Sequence, residues 1–218
     1  PMMNVTDLIK TGRNALYLDT WNDFTGNIYV SDQSNLVVRH SGALGVGAEG
    51  REVVVGGSGN FLLEYGVNIS WIDLRVSNSF DTTRVALRNE GATHSSWGGD
   101  IIFDTADGAG STEFQNHVIT ARTNGTLSLY GNIYTANNGN FSDSTSFNQQ
   151  ALLSTAIAES ATLNLRGQVR DTVDGSLFRV GDTEDSATQF ARNHSMGFQM
   201  RGHDEINVNA YQQWDATG

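Results

Sequence analysis

A row of apolar residues at every second position, interrupted by a glycine, limits what this chain can fold into more than any other feature. From Asn124 to Phe141 the sequence reads NGTLSLYGNIYTANNGNF. Leu127, Leu129 and Ile133 share one face of an extended strand, with Gly131 on the same row. Asn124-Gly125 and Asn137-Asn138-Gly139 supply turns on either side. A strand this short cannot bury its apolar row alone, and Gly131 leaves a gap where a backbone or a neighbouring copy of the chain can approach closely. Short β segments punctuated by Gly and Asn recur through most of the sequence. That pattern suits strands stacked along an axis or wound with identical chains.

Composition agrees with many tight reversals. The 218 residues include 24 glycines and a single proline, so turns are made from Gly and Asn. The net charge of −11 is spread over both halves, which leaves no basic tail for phosphate backbones and excludes nucleic acid as an expected partner. Twelve of the 13 basic residues are Arg, a residue suited to bidentate pairing at subunit contacts. With no cysteine, a disulfide framework and a thiolate metal site are both out of reach. No apolar run approaches the roughly 18 residues of a membrane span, so membrane insertion is not expected. The start, PMMNVTDLIKTGRN, has no apolar run behind a basic end and does not read as a signal peptide. A leading Pro is compatible with a short complete product whose Met was removed, or with a piece of a longer fibre.

The wording of the 124–141 stretch, Gly-Thr-Leu-x-Leu-x-Gly-Asn-Ile followed by an Asn/Gly turn and an aromatic, resembles the shaft and pre-tip repeats of bacteriophage tail fibres and tailspikes. DGSLFRVGD at 174–182 is a looser echo. The resemblance implies a β-rich, intertwined homotrimer in the virion tail, assembled in the host cytoplasm. Its amino end would dock on other tail or baseplate proteins, and it would attach the particle to a host surface glycan or protein.

In chain order, 1–14 reads as an N-terminal anchor, a helical turn or short strand. Residues 15–147 read as a β-rich domain, opening with a meander of three strands (NALYLD, GNIYVSD, NLVVRH) joined by hairpin-type turns. Trp21 and Phe24, in the first connection, either plug the core or face a ligand. In 61–80, Val67, Ile69, Trp71 and Asp73 alternate against Asn68, Ser70, Ile72 and Leu74. With 83–88 and 100–105 this suggests a sandwich or jelly-roll core, and β-helical or β-prism layers are the other all-β arrangement in view. NQQALLSTAIAES at 148–160 has helical spacing and predicts one short helix that divides the chain, with a C-terminal β-rich segment at 161–218 containing a hairpin over 196–208.

Candidate chemistry is sparse. Because tailspikes are often glycan depolymerases, the resemblance directs attention to carboxylate pairs. Asp100 and Asp104 point the same way on one strand but ~13 Å apart, too far for direct cooperation unless Asp107 folds back. His40, His94, His117, His194 and His203 form neither HExxH nor HxH, so no metal or other cofactor is expected. GGSGN at 56–60 resembles one turn of a calcium-binding repeat but lacks its Asp and a second copy. Without a GxSxG elbow, a Ser-His-Asp triad has no support. Exposed aromatics remain, since sugar rings stack on flat apolar faces while Asn, Asp and Arg bond hydroxyls. Trp97 beside His94 and Asp100 in THSSWGGD, and Tyr211 and Trp214 in NAYQQWD, are the candidate ligand-binding residues. The expectation is attachment without catalysis, with a depolymerase or a structural virion adaptor as alternatives.

Overall fold

In the computed structural model the described residues are 6–45, 50–57, 59–76, 84–104, 115–122, 124–136, 151–155, 162–167, 169–170, 177–180, 198–200 and 205–208. The first two rungs contribute two strands each: β1 (Leu8–Lys10) and β2 (Ala15–Leu18), then β3 (Ile28–Val30) and β4 (Asn35–Val38). Four rungs of three strands follow. They are β5 (Glu52–Val55), β6 (Asn60–Leu63) and β7 (Asn68–Ile69); β8 (Asp73–Val76), β9 (Arg84–Asn89) and β10 (His94–Trp97); β11 (Ile101–Asp104), β12 (Gln115–Ala121) and β13 (Thr126–Leu129); and β14 (Ile133–Ala136), β15 (Ala151–Thr155) and β16 (Thr162–Leu165). Four more strands, β17 (Val169–Arg170), β18 (Leu177–Val180), β19 (Phe198–Met200) and β20 (Glu205–Val208), extend the stack.

Every pairing is parallel, and successive strands fall into three different sheets. Sheet one is β1-β3-β5-β8-β11-β14-β17, sheet two β2-β4-β6-β9-β12-β15-β18-β19, and sheet three β7-β10-β13-β16-β20. The chain is therefore all-β, and its parallel stacking is consistent with β-helical layers. Parallel strands cannot be joined by a tight hairpin, so from β1 to β17 each strand pairs with its counterpart one rung away rather than with its sequence neighbour; β18 and β19 are the one consecutive pair among the described strands that shares a ladder.

This arrangement stacks like on like. Ile28, Val53, Leu74, Ile101 and Ile133 stand one above another in sheet one, all buried. Leu18, Val38 and Leu63 do the same in sheet two, and Ile69, Trp97, Leu129 and Leu165 in sheet three. These rows meet in one continuous core. The apolar row read at Leu127, Leu129 and Ile133 is buried as expected, but its cover is the same chain one rung away.

Gly131 shows how close the rungs come. A Cβ there would stand 2.7 Å from the Asp100 nitrogen and closer still to the Gly99 carbonyl. Gly99 and Gly167 occupy the same corner in neighbouring rungs, with backbone equally near. The gap foreseen on this row is filled by backbone.

Several expectations change. The helix over 148–160 is not formed where it can be seen: Ala151–Thr155 is strand β15, paired with β12 on one side and β18 on the other. Its Ala and Leu content favours a helix only weakly, and ladder partners on both edges override that preference. Residues 148–150 and 156–160 lie outside the described residues. The meander at 14–38 is instead two rungs, with β2 pairing β4 and β3 pairing β1. The hairpin expected over 196–208 is absent, since β19 joins β18 while β20 joins β16. A sandwich or jelly roll is likewise replaced by three parallel sheets. Phe24 is a core residue and Trp21 is partly exposed. Sheet one runs from Leu8–Lys10 to Val169–Arg170, and sheet two from Ala15–Leu18 to Phe198–Met200.

Candidate functional site

The residues singled out from the sequence separate in space. His94 and Trp97 begin and end β10, three positions apart, so alternation sends them to opposite faces. His94 is exposed and its Nε2 lies 2.8 Å from Ser128 Oγ. Trp97 is 0% exposed, packed edge-to-face on Phe61 with ring centroids 5.6 Å apart. Its ring belongs to the core, where no sugar can stack on it from outside. Its indole N–H is buried with no hydrogen-bond partner. The segment HSSW reads as a loop in the sequence because serines fill its middle, yet it is a strand with Ser95 turned inward.

Asp100 lies at the corner between sheets three and one and serves the backbone. Its Oδ1 accepts the Asn132 N–H at 2.8 Å, and Asp73 Oδ1 accepts the Asp100 N–H at 2.8 Å. Lower in the same column, Asp7 Oδ1 accepts the Asn27 N–H and Asn27 Oδ1 accepts the Glu52 N–H. A short Asp or Asn at the start of a sheet-one strand, namely Asp7, Asn27, Asp73 and Asp100, thus caps the same position one rung on. Glu52 is too long for this role and pairs instead with Arg75 at 2.7 Å, while the Asp73 N–H turns to the Arg51 carbonyl. Burial pushes the Asp73 carboxyl above its ordinary range, and the nearby charges of Asp100 and Glu52 push the same way. The N–H of Asp100 and the Arg75 guanidinium oppose them. Tyr211, Trp214, Asp107 and the side chain of Asp104 lie outside the described residues.

The surface most suited to a ligand is the outer face of sheet three. Asn68, Ser96, Ser128 and Asn164 occupy one register position on four consecutive strands; Ser128 is 0% exposed, so Asn68, Ser96 and Asn164 are the members a ligand can reach. Ser96 Oγ donates to Asn68 Oδ1 at 2.8 Å, and Asn164 Nδ2 to Ser128 Oγ at 3.1 Å. The sheet is only four residues wide at most, so its two margins lie close to this polar row. Exposed aromatics stand at both. Tyr65, 70% exposed, precedes β7; Trp71, 80% exposed, follows it, and Tyr130, 51% exposed, follows β13.

Tyr65 and Trp71 also have φ of 63° and 64°. Bulky residues seldom occupy this left-handed region, and the cost of order 1–3 kcal/mol is the kind that concentrates at functional sites. At the Tyr65 margin, the Arg39 guanidinium lies 4.0 Å over the Tyr17 ring and 5.5 Å from that of Tyr65, while bonding Glu64 at 2.7 Å and Asp19 at 3.3 Å. At the other margin, Arg166 lies 5.5 Å from the Tyr130 ring centre.

No family model, curated protein or solved structure matches the chain. The site must be read from its own chemistry. Hydroxyls, amides and an imidazole between flat rings can hydrogen-bond and stack, while among the described residues no cluster of three metal-ligating side chains is present.

Tyr65, Trp71 and Tyr130 were not among the residues chosen from the sequence, although a signal for Trp71 exists. Three corners read apolar-x-Gly-(Asp, Asn or Gln)-apolar: Trp97-Gly-Gly-Asp-Ile101, Leu129-Tyr-Gly-Asn-Ile133 and Leu165-Arg-Gly-Gln-Val169. The corner from Ile69 to Leu74 carries one residue more. Trp71 is the surplus residue, expelled from a corner with no room for it. Strict alternation through Trp71 fails for the same reason: Ile69 and Ile72 are both buried although three positions separate them.

Proposed function

We propose that this chain is part of a phage tail fibre that binds a glycan on the bacterial surface and holds the virion there without catalysis. The observation that carries this reading is the outer face of sheet three, where a hydrogen-bonded row of Asn, Ser and His side chains lies between exposed aromatics on a rigid stack. Rigid presentation suits attachment, because little ordering remains to be done when the ligand arrives. The tail-fibre resemblance of residues 124–141 supplies the setting. It also supports an intertwined homotrimer with β-helical or β-prism layers, docked through its amino end on other tail or baseplate proteins. The closing of the core within one chain means that trimerisation is not needed to cover these rows.

A depolymerase is favoured by one observation, the raised Asp73 carboxyl one rung from Asp100. Both side chains nevertheless accept backbone N–H groups of the next rung, which commits them to the fold.

The test is adsorption. Purified protein is expected to bind host cells, to block phage adsorption in proportion to its concentration, and to release no reducing sugar from host polysaccharide. Sugar release would replace attachment with hydrolysis. Binding to tail proteins but not to cells would make the chain an adaptor. Light scattering giving a monomer mass would refute the trimer alone.

A further inference from the structure

The corner between sheets three and one changes character from rung to rung. Trp71 projects from the third rung, Gly98 and Gly99 leave the fourth without a side chain, Tyr130 stands on the fifth and Arg166 on the sixth. Strand spacing puts the Trp71 and Tyr130 backbones two rungs, roughly 10 Å, apart along the stack. A ring lying between two aromatic faces needs about 7 Å between them at van der Waals contact. An indole 80% exposed is free to turn onto such a ring.

Arg166 adds a charge to this notch. Arg39, Arg75, Arg88 and Arg122 each pair with a carboxylate, whereas exposed Arg166 has only the Tyr130 ring among the described residues. A guanidinium held on an aromatic face keeps its N–H fork available for a carboxylate or phosphate. The net charge of −11 repels anions at long range, so an anionic ligand would be held here by direct contact rather than steered in.

We propose that Trp71, the partly exposed Gly98 backbone, Tyr130 and Arg166 form a subsite for one acidic ring of a surface glycan. The ring lies between the indole and the phenol, and its anionic group meets Arg166. This rests on the attachment reading above and adds to it the place and the charge of the ligand.

The experiment is calorimetric titration of the purified chain with three probes: an oligogalacturonate, its methyl ester, and a phosphate-bearing glycerol oligomer. Host-cell binding is measured in parallel. Oligogalacturonate is expected to bind at least 10-fold more tightly than its methyl ester, and more weakly as salt is raised. Trp71→Ala should weaken binding of both sugars 10-fold or more. R166Q should abolish the preference for the acid while leaving the ester unchanged. Binding of the glycerol phosphate alone would identify a phosphate contact and overturn the sugar ring.

Cell binding by the wild type that survives unchanged in both variants overturns the subsite and leaves attachment standing. A wild type that binds neither cells nor any probe overturns both. Trp71 is 80% exposed, so unchanged circular dichroism is expected on its removal and separates lost binding from lost fold.

Discussion

Replacing Gly131 by alanine measures how much the closeness of the rungs contributes to stability. The added Cβ would stand 2.7 Å from the Asp100 nitrogen and nearer to the Gly99 carbonyl, both fixed backbone atoms of the preceding rung, so no rotamer change relieves the clash. Relief requires the rungs to part by on the order of 1 Å at this corner. Three hydrogen bonds cross it: Tyr130 N–H to Trp97 O at 2.9 Å, Asn132 N–H to Asp100 Oδ1 at 2.8 Å, and Ile101 N–H to Asn132 O at 2.8 Å. Each contributes about 1 kcal/mol net, and overpacking at such a site costs about 1–3 kcal/mol. The expected loss is therefore about 2–4 kcal/mol, because stretched bonds and residual overlap share one displacement. Gly91→Ala is the control: a Cβ there would meet only the Thr93 side chain, at 3.4 Å, so its effect should stay within about 0.5 kcal/mol. Urea unfolding followed by far-ultraviolet circular dichroism would compare the two. Equal midpoints for Gly131→Ala and Gly91→Ala would refute the claim that glycine at this corner is a steric requirement.

Three further outcomes follow from the same geometry. Trp97→Ala should cost about 3–5 kcal/mol, whereas Trp97→Phe should cost less than half of that because the indole N–H it removes has no partner; thermal melts of both would show whether the ring or its N–H matters. Asn89 is 0% exposed, its Nδ2 serving the carbonyls of Gly91, Thr93 and Thr126 and its Oδ1 accepting from Ser95 Oγ; Asn89→Ala should cost about 2–4 kcal/mol in urea, and a loss under 1 kcal/mol would mean those groups find other partners. Because the folded state raises the Asp73 carboxyl, native protein holds that proton more tightly than unfolded protein, so stability falls as pH rises from the ordinary value of 3.8 through the raised one. Asp73→Asn keeps an Oδ1 acceptor for Asp100 N–H, as Asn27 does for Glu52; it should stabilise the protein at neutral pH, with the advantage shrinking as pH falls toward 3.8, and an equal shift at all pH values would refute the assignment.

What the sequence disclosed was the strand, one at a time. Leu127, Leu129 and Ile133 alternate as a buried row must, and Gly131 marks a close backbone approach, both of which hold. The partner of each strand was hidden. Asn, Asp and Gly make hairpin turns, and the same residues make these corners, where Asn124 has φ of 61° and Asp73 and Asp100 cap a neighbouring rung. A hairpin and a corner differ in whether the next strand returns alongside or goes on to another sheet, a choice that depends on residues 20 or more positions away. Ala151–Thr155 shows the same limit: its local preference is helical, and only the strands on either side make it extended.

The surface is harder to read than the core for a reason built into such a stack. Inward positions must repeat, since Ile28, Val53, Leu74, Ile101 and Ile133 lie on one another and any shift of register would turn a whole row to water. The exposed positions of a corner, unlike its close-packed glycine and its Asp or Asn cap, answer to no such rule as long as the strands on both sides keep register. The extra residue between Ile69 and Leu74 leaves both of them in their columns and shows itself only as an exposed indole at positive φ. Variation is thus confined to places where it changes what the surface offers and leaves the stack intact. The proposed ligand site lies where one corner departs from its neighbours, a departure that comparing the corners with each other brings out and that no catalytic motif in the chain marks.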